Sequence, residues 1–220
     1  MSATVADVLR TLERKGTKKN RDGLARYAIV AEKAFGVSMS DLRAIAKEIG
    51  HDHELALALW ETEWYEARML ASFVADPAQV TPALMDRWAR DFDNWAICDT
   101  LCFHLFDKTP HALKKVKQWA TKKDEFVKRA SFALLASVAL HDKKMDDALL
   151  IACLPLVEAA ATDERNFVKK GVSWGLRGVG RRRGCRAAAI ELAERLARSD
   201  DRTARWVGKD ALRDFRKAAD

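Results

Sequence analysis

The sequence predicts an all-α protein, and three observations carry that prediction. Apolar residues recur at helical spacing in nearly every segment. Only ten glycines and four prolines punctuate 220 residues, too few turns for a β-sandwich or barrel of this length. Helix-start signals recur at intervals that leave only short connections, as antiparallel helical neighbours require. A hydrophobic share of 49% and a charged share of 32% support a globular core rather than disorder.

In chain order, Ala6, Leu9 and Leu12 mark a first apolar stripe, and Leu24, Tyr27, Ala28, Ala31 and Phe35 a second. Ser38 and Asp41 read as a capping box opening a helix through Leu42, Ile45 and Ile49, with a stop at Gly50. Leu55, Leu59 and Trp60 make the next helix; Met69, Leu70, Phe73 and Val74 make another, ended near Pro77. Thr81-Pro82 and Thr109-Pro110 each place a hydroxyl cap before a proline at the first helical position, where its missing N–H costs nothing. Helices are therefore expected from about Pro82 and Pro110. Asp93 is positioned to cap a helix carrying Trp95, Asp99, Cys102 and Leu105, and Asp124 one running through Val127, Ala130, Leu134 and Val138. Further helices are expected from about Asp146, Asp163, Gly184 and Arg202, about twelve in all.

A repeat is visible. Glu125-Phe126-Val127-Lys128-Arg129-Ala130 resembles Asn166-Phe167-Val168-Lys169-Lys170-Gly171, and Trp64-Tyr65-Glu66-Ala67-Arg68-Met69 is a fainter copy. The second helices of pairs begin near Glu63, Asp93, Asp124, Asp163 and Arg202, about 30 to 40 residues apart, the period of a two-helix HEAT-like solenoid. One such pair cannot bury its own apolar face, so neighbours stack and one helix of each pair lines a concave side. No linker divides residues 1–220, so one domain is expected.

Lysine and arginine total 39 against 32 aspartates and glutamates, a net charge of +7. Position matters more than sum. From Arg165 to Arg186 there are eight basic residues and no acid; from Lys108 to Arg129 there are eight more against Asp124 and Glu125. One such run is ordinarily a solvated helix face. Two on successive repeats, interleaved with Gly171, Gly175, Gly178, Gly180 and Gly184, suggest a basic concave face that a phosphate backbone approaches closely. The glycines follow no strand and lack the P-loop lysine order, so they are not a nucleotide loop.

Other classes fall away. The most apolar stretch, Ala130 to Leu140, is eleven residues, too short to cross a bilayer. The N-terminus lacks an apolar signal region. Cys98, Cys102, Cys153 and Cys185 form no zinc-type spacing and read as buried thiols of a reduced, cytoplasmic (nucleoid-associated) protein. His51 and His53 flank Asp52 at a helix entry and read as a surface cap. Trp60, Trp88 and Trp119 read as core.

Trp95 and Asp99 lie four apart on one helical face. Arg129 and Trp174 fall on the next two second-in-pair helices, so a carboxylate, two indoles and a guanidinium can converge on one spot. The bland reading is a core tryptophan pair with a structural Asp99–Arg129 ion pair. Asn94-Trp95-Ala96-Ile97-Cys98-Asp99, Lys128-Arg129-Ala130 and Trp174-Gly175-Leu176-Arg177, in that order and with Arg26-Tyr27 upstream, resemble signature segments of the AlkD-type DNA glycosylases, the HEAT-like alkylation-repair family. The resemblance covers about Gly23 to Arg181.

The resemblance implies a monofunctional enzyme that hydrolyses the N-glycosidic bond of positively charged N3- or N7-alkylated purines in duplex DNA. No cofactor, metal or base flipping is implied. It assigns Asp99 as the catalytic carboxylate, Trp95 and Trp174 as aromatic walls, and Arg129 as a backbone contact. Tyr27, Lys128, Lys169, Lys170, Arg177, Arg181, Arg182 and Arg183 are expected to meet the same DNA. A cationic purine is already a good leaving group, so one carboxylate without an acid partner makes chemical sense. The alternatives are a non-catalytic HEAT module for distorted or branched DNA, and a protein-binding scaffold. Neither membrane attachment nor an obligate protein partner is expected; a monomer suffices.

Overall fold

The computed structural model describes residues 3–217; residues 1–2 and 218–220 of the expected domain lie outside the described residues. Among these the chain forms fourteen α-helices, four 3-10 helices and no strand. One continuous apolar core runs from Val8 to Phe215. No helix among the described residues is long and apolar enough to cross a membrane.

Five helices form an inner row: α5 (Tyr65–Val74), α7 (Trp95–His104), α9 (Glu125–His141), α12 (Asn166–Gly180) and α14 (Arg202–Lys217). Each packs on the next, α5 to α7, α7 to α9, α9 to α12 and α12 to α14. Behind them, α4 (His53–Glu61), α8 (Ala112–Trp119), α11 (Leu154–Ala160) and α13 (Arg186–Ala197) pack on α5, α9, α12 and α14. This is the helix-pair stack the repeat predicted. The remaining helices are α1 (Val5–Lys15), α2 (Lys18–Gly23), α3 (Met39–Ile49), α6 (Pro82–Arg90) and α10 (Asp147–Ile151).

Several local signals act as expected. Thr81 accepts from the Leu84 N–H and places Pro82 first in α6. Ser38 accepts from the Asp41 N–H, and Gly50 ends α3 at φ 72°, a backbone region that favours glycine. Trp60, Trp88 and Trp119 are buried; Trp60 stacks on Trp88 at 4.5 Å. All four cysteines are buried free thiols.

Other expectations change. The stripe from Leu24 to Phe35 is not an α-helix. It is a 3-10 turn at Leu24–Tyr27 followed by irregular chain. The buried Glu66 carboxylate on α5 accepts the backbone N–H groups of Phe35, Gly36 and Val37 at 2.9, 2.6 and 3.2 Å, holding that chain open. The helix expected from Pro110 begins at Ala112, because the Thr109 hydroxyl donates to the Phe106 carbonyl instead of capping. The helices expected from about Asp163 and Gly184 begin at Asn166 and Arg186. Asp52 caps α4 while His53 is buried, so the two histidines are not a surface cap.

The glycines of α12 serve helix packing rather than a phosphate backbone. A Cβ at Gly171, Gly175 or Gly178 would press on Arg129, Phe132 or Ala136 of α9. Their absence of side chains lets α9 and α12 close together and carries Arg129 against the inner face.

Candidate functional site

The site begins with a helix start. Asn94, not Asp93, caps α7: its side-chain oxygen accepts from the N–H groups of Ala96 and Ile97 at 3.0 and 3.1 Å. Asp93 accepts from the Asn94 amide at 2.7 Å and so fixes which way that amide points. Trp95 is therefore the first residue of α7, and Trp95, Asp99 and Phe103 follow one another up one face.

Arg129, from the second turn of α9, meets Asp99 in a fork. Its Nε donates to Asp99 Oδ1 at 2.8 Å and its Nη2 to Oδ2 at 2.6 Å. Its Nη1 donates to the Phe167 carbonyl at 2.8 Å. The Arg129 and Asp99 side chains are only 9% and 16% exposed. Burial pushes the Asp99 carboxyl above its usual range, and the Arg129 guanidinium opposes that rise. Burial disfavours charge on Arg129 too, but the Asp99 carboxylate more than restores it. A forked pair of this kind fixes direction as well as charge. Each carboxylate oxygen keeps a lone pair that Arg129 does not use.

The pair is a wall between two clefts. One, of about 390 Å³, is lined by Asp99, Ala136, Leu140, Trp174, Arg177 and Arg181 among others. The second, of about 410 Å³, is lined by Tyr27, Trp95, Arg129, Phe167 and Lys170 among others. Trp95 is fixed by its indole N–H, which donates to the Tyr27 carbonyl at 2.8 Å. Tyr27 itself is 67% exposed. Trp174 stacks on Phe103 at 6.4 Å, and Phe103 meets His141 edge-on at 4.3 Å. Asp99 and Arg129 thus touch directly, Trp174 shares the cleft of Asp99, and Trp95 shares that of Arg129.

The basic residues divide into two groups. Lys128 and Arg165 both pair with Asp163, at 3.0 and 2.6 Å; the Arg165 and Lys128 bonds hold the Asp163 carboxyl well below its usual range. Arg177 lies 3.7 Å from Asp210 and 3.5 Å from Asp214, and Arg181 3.1 Å from Asp214. Arg182 is tied to Asp147 and to the carbonyls of Asp142 and Met145, each at 2.6 Å. The stretch without acids in sequence is therefore partly neutralised by acids from other segments. By contrast, Lys169, Lys170 and Arg183 have no ion pair among the described residues, and Lys170 and Arg183 are exposed.

Phe103 was missed by the sequence reading, although it continues the Trp95–Asp99 spacing by four. Asp210 and Asp214 on α14 gave no local sign of neutralising the basic stretch, because the Arg177 and Arg181 they pair with lie more than thirty residues away.

The inner row, the paired second helices and the close helix stacking define a HEAT-like repeat protein. The sequence pattern of the DNA alkylation repair enzyme family matches residues 8–215, and the chain belongs to that family. Among solved structures, it is similar to one described as a new family of proteins related to the HEAT-like repeat DNA glycosylases with affinity for branched DNA structures. The identity is 20% and the TM-score 0.79, with 96% of this chain and 95% of that chain covered. No curated protein matches.

Proposed function

We propose that this protein is a DNA glycosylase that hydrolyses the N-glycosidic bond of N3- or N7-alkylated purines in duplex DNA, with no cofactor and without drawing the base into a pocket. The observation that carries this reading is the Asp99 carboxylate, held in one orientation by Arg129 and bordering a cleft walled by Trp174.

The chemistry fits one carboxylate. The alkylated purine carries positive charge, so the bond from C1′ to the base nitrogen breaks with its electron pair going to the base, which leaves neutral. The sugar becomes oxocarbenium-like. Asp99 stabilises that charge and, through its free lone pairs, orients a water; the water oxygen bonds to C1′ and its proton passes to solvent. Indole faces of Trp95 and Trp174 attract the cationic base and sugar, about 0.5–2 kcal/mol each. No general acid is required, unlike ordinary glycoside hydrolysis.

Arg129 acts here as the positioning residue for Asp99, since three of its donors are engaged inside the protein. Lys169, Lys170 and Arg183 supply unneutralised charge for the DNA backbone, and the exposed Tyr27 shares a cleft with Lys170. Arg177 and Arg181 border the Asp99 cleft and contribute a weaker field. Lys128 and Arg182 hold segments together.

A second reading, a non-catalytic module for branched or distorted DNA, draws on the same pair: Arg129 neutralises Asp99 and leaves a cleft with little net charge. One assay decides between them. A duplex holding a single N7-methylguanine is incubated with the protein and scored for abasic-site scission. Release of the methylated base, with unmodified guanine untouched, is the expected result; binding without release favours the second reading.

A further inference from the structure

Trp206, in the first turns of α14, is the most exposed tryptophan among the described residues, 37% exposed, and it pairs with no other aromatic ring there. The other six are accounted for. Trp60, Trp88 and Trp119 are core, Trp64 stacks on Phe35, Trp95 bonds to Tyr27 and Trp174 stacks on Phe103. Among the described residues, the Trp206 indole N–H has no protein acceptor. Lys169 places its Nζ 5.4 Å from the ring centroid.

A cleft of about 290 Å³ opens beside this ring, lined by Glu164, Lys169, Arg202, Thr203 and Trp206. Lys169 and Arg202 have no carboxylate partner among the described residues, whereas Arg177 in the last turn of α12 and Arg181 and Arg182 just beyond it do. Two cations without carboxylate partners among the described residues thus line this cleft, one from α12 and one from α14. Lys170, one residue from Lys169, lines the cleft of Trp95 and Arg129. The Trp206 cleft therefore lies one repeat further along the same row of second helices.

Its chemistry selects an occupant. An indole face offers stacking, two cations offer a phosphate site, and the Glu164 carboxylate offers an acceptor for an exocyclic amino group. A folded protein surface supplies all three complements together less readily than one nucleotide does. Within a duplex the base faces are stacked and closed to Trp206. We infer that the Trp206 cleft is a second DNA subsite, which stacks one unpaired nucleotide, its phosphate held by Lys169 and Arg202 and its amino group by Glu164.

This rests on the reading that the inner row meets DNA. The test compares affinities of the whole protein, Trp206→Ala and Trp206→Phe for a blunt duplex and for the same duplex with a forked end of unpaired cytidines. Base release from an N7-methylguanine duplex is measured alongside. The wild type should bind the fork more tightly than the blunt duplex. Trp206→Ala should lose at least about fivefold in fork affinity, the scale of one base–aromatic stack. Trp206→Phe should keep most of it, and blunt-duplex binding and base release should not change. Equal binding of fork and blunt duplex by the wild type, or an equal effect of Trp206→Ala on both, overturns the subsite alone. Absence of binding to either DNA overturns the subsite together with the reading beneath it. Absence of base release with fork preference intact removes only the glycosylase.

Discussion

The guanidinium of Arg129 grips both oxygens of Asp99, at 2.8 and 2.6 Å, across the contact between α9 and α7. The one carboxylate suited to the chemistry is thereby fixed in direction and largely buried, and a neighbour that cannot lose its proton opposes the rise that burial imposes on it. The same relationship takes Arg129 out of the population of residues free to hold phosphate.

Arg129→Ala should therefore act on the fold and on Asp99 more than on backbone contacts. Removing one partner of a buried pair strands the other, at a cost of about 3 kcal/mol. Denaturant unfolding measures this directly. The salt dependence of DNA binding should keep its slope in Arg129→Ala, while Lys170→Ala should reduce the slope by about one. A flattened slope in the arginine variant would mean that its guanidinium reaches DNA.

The close approach of α12 to α9 makes a second prediction. A Cβ at Gly178 would lie 2.7 Å from Ala136 Cα and 2.9 Å from its Cβ, both too rigid to yield. Alanine gains up to about 1 kcal/mol in helix propensity over glycine, but overpacking costs about 1–3 kcal/mol. Gly178→Ala should lower Tm, by ~2–4 °C for each kcal/mol at this chain size, and should move Trp174 relative to Asp99. A raised Tm would show that the two helices have room.

Stability should also respond to pH through His104. Burial, with Lys108 and Arg43 adding to it, pushes this imidazole down from 6.5 to about 4. Unfolded, His104 takes a proton near 6.5; folded, only near 4. Between those values the unfolded chain binds more protons, so stability rises with pH. The contribution is present above 6.5 and is lost as pH falls toward 4. Urea unfolding of the wild type and His104→Gln across this window should show the slope reduced in the variant. His104 is only partly buried, so the effect should be modest.

Much of this architecture is legible in sequence because its signals are local. Thr81 before Pro82, Ser38 before Asp41 and Gly50 after Ile49 act within a single turn, and the structure uses each of them. The misreadings have a common cause in distance. Leu24 to Phe35 has helical period, yet Glu66 reaches back from α5 to take its amides. Arg177, Arg181 and Arg182 look unopposed along the chain, yet Asp214 and Asp147 close on them in space. The glycines of α12 look open to a ligand, but α9 occupies that space. For the site, helical spacing placed Trp95 and Asp99 on one face, and the order of helices put Arg129 and Trp174 nearby. That Arg129 would turn inward, or that two clefts would flank the pair, depends on side-chain packing that no motif records.

The central claim is that Asp99 carries the bond-breaking step. The most direct test is single-turnover base release from a duplex holding one N7-methylguanine, with wild type and Asp99→Asn in parallel and duplex affinity measured for both. Asparagine preserves shape and an acceptor for Arg129 but removes the charge. Release should fall by about 10²–10³, the scale of losing one electrostatic stabiliser, with duplex affinity close to wild type. Tm should fall, because Arg129 loses its charge partner and one of its two acceptors there, so release is measured well below the variant's Tm. Equal release by the two proteins would contradict the account and leave Asp99 a structural partner of Arg129.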